Sequence, residues 1–368
     1  MTDQVDPNQS RSSALNEPIT DTSTRPATRA DVARRAGVST AVVSYVVNGG
    51  PRAVAPETAA RVRTAIDALR YRPNANARAL RKGTTEMLGL VLPDIANPFF
   101  AEYALAIEAA AAVYGYVLVV ANSDAERTRE RQIVNDLAGR HVDGLMLCTV
   151  FMPVDFSDVS ASGRPMVLIN SSTPVPGHPA LGPAAQPGAR AAVEHLIDTH
   201  GFSSVALIIG ESGEVVPEPR ERGWTEAFRS RDLPPGPIVR TRFSRSGGYE
   251  AAAEILTWST RPAAIFAASD QQASGALSAF WRAGLRCPED IAIVSFDGTS
   301  ESEYCWPPLT VVRQPIKEMA EAAVDAVLGL SSPPLTYHQF DTELVIRESC
   351  GCRAPATARP WSDQPVHR

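Results

Sequence analysis

Residues 28–48 read TRADVARRAGVSTAVVSYVVN, two short segments of helical apolar periodicity joined through a single glycine. Thr28 is placed to cap the first segment, Val32, Ala33 and Ala36 share one face of it, and Gly37 supplies a left-handed stop. Ser39 caps the second, whose inward positions are Val43, Val46 and Val47 and which Asn48-Gly49-Gly50 ends. A third helix opens at Pro56 and Glu57, sets Val62, Ile66 and Leu69 on one side, and stops at Tyr71-Arg72-Pro73. Three short helices with a tight glycine turn between the first two predict a helix-turn-helix.

Charge agrees with that reading. Between Arg25 and Gly83 stand twelve basic residues against three acids, a local balance of +9 in a chain whose net charge is −6, so the remainder carries −15. A basic module on an acidic body suits phosphate neutralisation with counterion release, where a merely solvated arginine-rich face is the alternative. The base- and phosphate-contacting candidates are the solvent-side residues of the second helix, Thr40, Ala41, Ser44 and Tyr45. Ser39 and Asn48 at its ends and Arg29 at the start of the first helix complete the set.

Beyond Gly83 the texture changes. Apolar runs at Met87–Leu92, Tyr116–Ala121, Gly144–Cys148, Met166–Ile169, Val205–Ile209, Ala263–Phe266 and Ile291–Phe296 alternate with amphipathic segments such as Phe99–Tyr114, Ala189–Thr199, Gln271–Ala283 and Ile316–Leu328. That alternation implies parallel sheets covered by helices on both faces, and its length suggests two lobes with a cleft at strand carboxyl ends. No internal repeat is visible. The apolar stretch Tyr103–Ala121 is interrupted by Glu108 and split by Gly115, so it reads as core rather than as a membrane span. With 44% hydrophobic and 21% charged residues and no apolar leader, a cytoplasmic globular protein is expected.

Two blocks make the resemblance specific. Asp31-Val32-Ala33-Arg34-Arg35-Ala36-Gly37-Val38-Ser39 with Val43-Ser44 and Val46-Val47-Asn48-Gly49, and Tyr71-Arg72-Pro73-Asn74-Ala75-Asn76-Ala77-Arg78-Ala79-Leu80, resemble the headpiece and hinge of the LacI/GalR family. The resemblance implies a hinge helix that orders on operator DNA, begun by Asn74, with Leu80 as a minor-groove wedge and Ala77 beside it; Leu80 as a buried linker contact is the alternative. Tyr45 stands where many members carry arginine, and Ala55 where a Ser or Thr cap usually precedes the third helix.

Scattered later blocks, including Pro93–Phe100, Ala267–Ala273, Pro288–Asp297, Pro307–Val312 and Glu348–Gly351, resemble the family's effector domain, a relative in fold of periplasmic sugar-binding proteins. The fold expected is therefore an all-α helix-turn-helix headpiece plus an α/β two-lobed periplasmic-binding-protein-like effector domain. Its expected limits are an arm over 1–27, the DNA-binding domain over 28–72, a hinge over 73–83, the effector and dimerisation domain over 84–352, and a tail over 353–368. By position, Arg220 and Asp297 match the family's ligand-contacting arginine and acid, and Phe100 and Phe243 its aromatic walls. Ser269, where Asn is frequent, and Asp270 lie in a strand-end loop, although Asp270 as a helix cap and the phenylalanines as plain core are the alternatives. A carboxylate and a guanidinium together suit a polyhydroxyl ligand, so the expected effector is a sugar, with a purine-like or other polar metabolite as the alternative. The expected partners are double-stranded operator DNA, this effector and a second copy of the chain, with no membrane.

An enzyme and a pure solute-binding protein are the competing classes. No GxSxG, GxxxxGK[ST] or HExxH pattern is present, which argues against the first, and the basic headpiece argues against the second. The six histidines show no clustering in sequence as ligands. The five cysteines lack CxxC spacing; Cys350-Gly351-Cys352 is a possible soft-metal or oxidation site, but a C-x-C near a chain end is more often incidental. No catalytic residue, cofactor or metal is expected.

Overall fold

The apolar periodicity of residues 28–71 closes a small three-helix core. A computed structural model describes residues 25–48, 53–72, 79, 82–151, 156, 163–211 and 218–353. The chain divides into two compact units with the boundary between Lys82 and Gly83. The first holds helices α1 (Arg29–Ala36), α2 (Thr40–Asn48) and α3 (Pro56–Leu69). Thr28 and Asp31 form a reciprocal capping box at α1: Thr28 Oγ1 accepts from Asp31 N at 3.4 Å, and Asp31 Oδ2 accepts from Thr28 N at 2.9 Å. Gly37 takes the left-handed conformation (φ 66°) that ends α1, and Ser39 Oγ accepts from Val42 N at the start of α2. Val32, Ala33, Ala36, Val43, Val62, Ala65 and Tyr71 form the buried core. Ala55 gives α3 no side-chain cap, and Pro56 occupies its first turn. Of the expected hinge, Asn74, Ala77 and Leu80 lie outside the described residues, as do most of the arm and tail.

The second unit is built from two sheets of the same plan. Lobe 1 holds β1 (Met87–Leu92), α4 (Pro98–Val113), β2 (Val117–Asn122), α5 (Arg127–Gly139), β3 (Gly144–Leu147), β4 (Met166–Leu168) and β5 (Ala180–Pro183). Lobe 2 holds α6 (Ala185–His200), β6 (Val205–Gly210), α7 (Pro219–Arg229), β7 (Ile238–Thr241), α8 (Arg245–Leu256), β8 (Ala264–Ala267), α9 (Asp270–Arg282), β9 (Ala292–Asp297), the single turn α10 (Glu301–Tyr304) and β10 (Thr310–Arg313). The chain then returns to lobe 1 with α11 (Ile316–Val327) and β11 (Tyr337–Phe340) before adding β12 (Glu343–Val345) to lobe 2. The strand orders are β11-β5-β4-β3-β1-β2 and β12-β10-β9-β8-β6-β7, so the duplication that sequence inspection misses is plain in the topology. Ladders among these strands are parallel except β10–β12, which is antiparallel and departs from the all-parallel expectation.

Each sheet is buried on both faces. In lobe 1, Leu88, Leu90 and Leu92 pack under α4 and α11, while Val91, Leu145 and Leu147 face Val134 and Leu137 of α5. In lobe 2, Leu207 and Phe266 lie against α6 and α7, and Ile208 and Ile265 against α8 and α9. The chain crosses between lobes three times, after β5, after β10 and after β11. The apolar stretch near Gly115 resolves as expected: α4 ends at Val113, Gly115 turns with φ 78°, and β2 follows. Among the described residues no helix is long and apolar enough to cross a membrane.

Candidate nucleic-acid interface and effector cleft

In the headpiece, α2 turns Val43 inward and leaves Thr40, Ala41 and Asn48 exposed, with Ser44 and Tyr45 half-buried; Ser39 and Arg29 are exposed at the helix starts. The expected contact residues therefore lie along one strip of α2, one helical turn apart. Asn48 Nδ2 donates to Ser44 O at 3.0 Å and Ser44 Oγ at 3.2 Å, which orients the end of that strip. Asp31 is ion-paired with Arg25 and Arg34, and hydrogen bonds from Thr28 hold its carboxyl down at about 2, so it stays charged at the N-terminus of α1. An exposed, uncharged helix face of mostly short side chains, carried on a module whose basic residues lie on the flanking segments, is what a major groove admits.

The second site lies at strand carboxyl ends, mostly on lobe 2. Arg220 opens α7 behind Pro219 and the capping carboxylate of Glu218. Its Nε donates to Glu218 Oε1 at 3.0 Å and its Nη1 to Ala268 O at 2.7 Å. The guanidinium carbon sits 4.8 Å from the Phe243 ring centroid and 5.4 Å from that of Phe296. Those bonds and rings fix its plane before any ligand arrives. Gly210, at the end of β6, makes this possible: a Cβ there would lie 2.0 Å from Phe243 Cε2.

Asp297 ends β9 with φ 120°, followed by Gly298 at φ 73°, where a Cβ would meet Arg313 Cα at 2.5 Å. Backbone strain of this kind at a strand end aims a side chain that ordinary geometry would not. Gln314 Nε2 donates to Asp297 Oδ1 at 2.9 Å. Burial pushes the Asp297 carboxyl well up, the neighbouring Asp270 adds to this, and Arg220 opposes it. Gln314 Oε1 is buried and has no partner among the described residues. Sequence reasoning missed Gln314 and Phe296; Gln314 carried one signal, its place just after an apolar run where the chain crosses lobes.

Ser269 and Asp270 serve the framework. Ser269 caps α9, with Oγ accepting from Gln272 N at 3.2 Å. Asp270 is not the cap. Its Oδ1 accepts from Ser295 Oγ at 2.6 Å and its Oδ2 from Thr299 N at 2.7 Å and Thr299 Oγ1 at 2.8 Å. Burial pushes its carboxyl up to about 6 against those bonds. Asp270 thereby holds the loop that follows Asp297, while Ser269 fixes the start of α9. Phe100 lies apart from these groups, half-buried in the first turn of α4 on lobe 1, edge-on to Phe99 with centroids 5.2 Å apart. The lobes meet nearby: Glu102 Oε1 accepts from Ser300 N at 2.9 Å and Ser300 Oγ at 2.6 Å, and Gln271 Nε2 donates to Ala96 O at 3.4 Å.

One expectation is corrected. His195 and His200 do gather as potential ligands, with Cys350 and Cys352. Folding brings together residues 150 positions apart, which sequence spacing could not reveal.

Residues 28–74 match the model of bacterial regulatory proteins of the lacI family, and residues 193–350 that of a periplasmic binding protein-like domain. The ribose operon repressor of Halalkalibacterium halodurans is 34% identical over 326 residues, 87% of this chain and 96% of the relative. The chain belongs to the LacI family. The transcriptional repressor PurR of Photobacterium profundum is 32% identical over 88% of this chain and 98% of its own length. A lac repressor dimer bound to operator and the anti-inducer ONPF superposes with a TM-score of 0.76 at 28% identity, covering 89% of this chain and 99% of that one. This LacI-family chain is a DNA-binding transcription regulator with a small-molecule effector domain, and not an enzyme.

Proposed function

We propose that this regulator represses transcription in the cytoplasm as a homodimer whose paired headpieces hold two operator half-sites and whose cleft takes a sugar. The observation that carries the effector reading is Arg220, held close to the Phe243 and Phe296 rings beside Asp297 and Gln314 Oε1, which has no partner among the described residues. A fixed guanidinium, an acid and an amide acceptor address adjacent hydroxyls, and a ring face packs on a sugar's apolar side. The name of the ribose operon repressor points to a sugar-linked system, and the acid–guanidinium pairing favours a polyol. Effector closure of the lobes alters the spacing of two hinges over 73–83 and so the order of their helices, with Asn74, Ala77 and Leu80 at the minor groove.

Exposed apolar residues support self-association: Leu105, Val113 and Val117 on lobe 1, and Trp281 and Trp306 on lobe 2, are each more than half exposed. The test is operator affinity of the full chain at fixed salt, with and without a panel of pentoses, hexoses, disaccharides and purine bases. A sugar that shifts affinity at least fivefold is expected. A shift confined to purines would overturn the sugar reading, and a monomer at micromolar concentration in sedimentation would overturn the dimer.

A further inference from the structure

We infer that His195, His200, Cys350 and Cys352 form a tetrahedral site for a thiophilic divalent cation of the zinc class, on the face of lobe 2 away from the effector cleft. The four donor atoms converge within 4.8 Å of one another. His195 Nε2 lies 3.4 Å from Cys350 Sγ and 3.6 Å from Cys352 Sγ, and His200 Nε2 lies 3.4 Å from Cys352 Sγ. Tetrahedral bonds of about 2.3 Å to sulfur and about 2.0–2.1 Å to nitrogen give sulfur–nitrogen edges of about 3.5 Å. All three spacings sit on that edge, and two sulfurs with two imidazoles are the donor set tetrahedral zinc prefers.

The backbone is arranged for convergence on both sides. His195 and His200 lie on the last turns of α6, and Gly201 (φ 73°) ends the helix there. His195 Nδ1 is 3.2 Å from Thr199 Oγ1, a contact that fixes the ring and turns Nε2 toward the sulfurs. Phe202 stacks on His200 with centroids 6.0 Å apart. Across from them, Ser349 is tied to lobe 2 through Ile293 N to Ser349 O at 2.8 Å and Thr310 N to Ser349 Oγ at 2.8 Å, so Cys350 starts from a rigid point. Gly351 (φ 104°) then folds the chain back so that Cys352 faces the same centre; a Cβ there would come within 3.3 Å of His200 Nδ1.

An α-helix of this length carries its last residues about 22 Å from its first, and α6 starts at the lobe crossover, so the site is remote from Asp297. A bound ion ties the end of the described chain to α6, and its binding free energy adds to folding stability.

The experiment uses full-length, tag-free protein, reduced and stripped by chelator, then titrated with Zn²⁺ in competition with a chromogenic chelator and separately with Co²⁺. One ion per chain is expected, with the thiolate charge-transfer and visible bands of tetrahedral cobalt and a rise in Tm on adding Zn²⁺. His200→Gln and Cys352→Ser should each weaken binding at least tenfold, since even groups that only orient ligands matter by about 10–100-fold; His338→Gln should leave it unchanged. If Cys352→Ser fails to fold, His195→Gln and His200→Gln decide. Absence of stoichiometric binding by the reduced protein, cobalt bands without thiolate character, or affinity unchanged in the ligand variants would overturn the site, leaving a thiol–imidazole hydrogen-bond cluster.

Discussion

The two lobes share one strand order but divide the labour unequally. At its strand carboxyl ends lobe 2 gathers Phe243, Phe296 and Asp297 around Arg220 of α7, a set whose planes and hydrogen bonds are fixed by Glu218, Ala268 and Gln314. Lobe 1 offers Phe100 at the matching edge, together with Glu102 and Ala96, which touch lobe 2 directly. On the proposed reading, recognition energy resides in lobe 2 and lobe 1 supplies the closing edge. A duplicated fold thus keeps its scaffold and specialises its strand ends.

The largest expected effect follows from removing the fixed cation. Arg220→Ala should weaken effector binding by about 100-fold, the range for a lost charge-assisted contact in a desolvated pocket, as measured by calorimetry on the folded variant. A loss under threefold would move the recognition site elsewhere. Next comes Gly210→Ala. Its methyl occupies the space of the Phe243 ring, so overpacking of about 1–3 kcal/mol should lower Tm, and displacement of the ring should weaken effector binding about tenfold. Unchanged binding in a well-folded Gly210→Ala protein would show that Phe243 does not position Arg220. Phe100→Ala should cost only a few-fold in affinity, and a larger effect than Arg220→Ala would reverse the assignment of the lobes.

What was legible in sequence is local. Thr28, Gly37 and the missing cap at Ala55 act through neighbours within a turn or two, so their roles could be read from residues 28–72 alone. The long apolar strands were legible for the same reason, apart from shifts of a residue at their ends. β5, β7 and the strands from β10 onward were not: Ala180–Pro183 contains glycine and proline, Ile238–Thr241 is half exposed, and the short β11 and β12 gain their identity from partners far away in the chain. The cleft was partly legible. Arg220 and Asp297 followed from family position, whereas Phe296, Gln314 and the framework duty of Ser269 and Asp270 depend on contacts that only the folded lobe creates. The His–Cys cluster is the extreme case, since neither half carries a recognisable spacing.

The smallest effect sharpens the comparison through pH. Each lobe holds a buried carboxylate that supports its strand ends, Asp270 beside Asp297 in lobe 2 and Glu130 in lobe 1. Burial raises Glu130 to about 7, against a hydrogen bond from Thr149 Oγ1 at 2.9 Å and the charge of Arg127. Its Oε2 is buried without a partner among the described residues, as a protonated acid tolerates better than a charged one. Asp270, raised to about 6, has both oxygens bonded. Because both acids titrate higher in the folded protein than in the unfolded chain, their contribution is present below about pH 4 and is lost as pH rises, through about 6 for Asp270 and through about 7 for Glu130. Glu130→Gln should therefore flatten the decline in stability between pH 6 and 7, while Asp270→Asn flattens it only below about 6; calorimetric scans across pH 4–8 separate the two windows. Coincident slopes in wild type and Glu130→Gln would mean that lobe 1 solvates this carboxylate. The two lobes would then differ in the burial of their acids as well as in their strand ends.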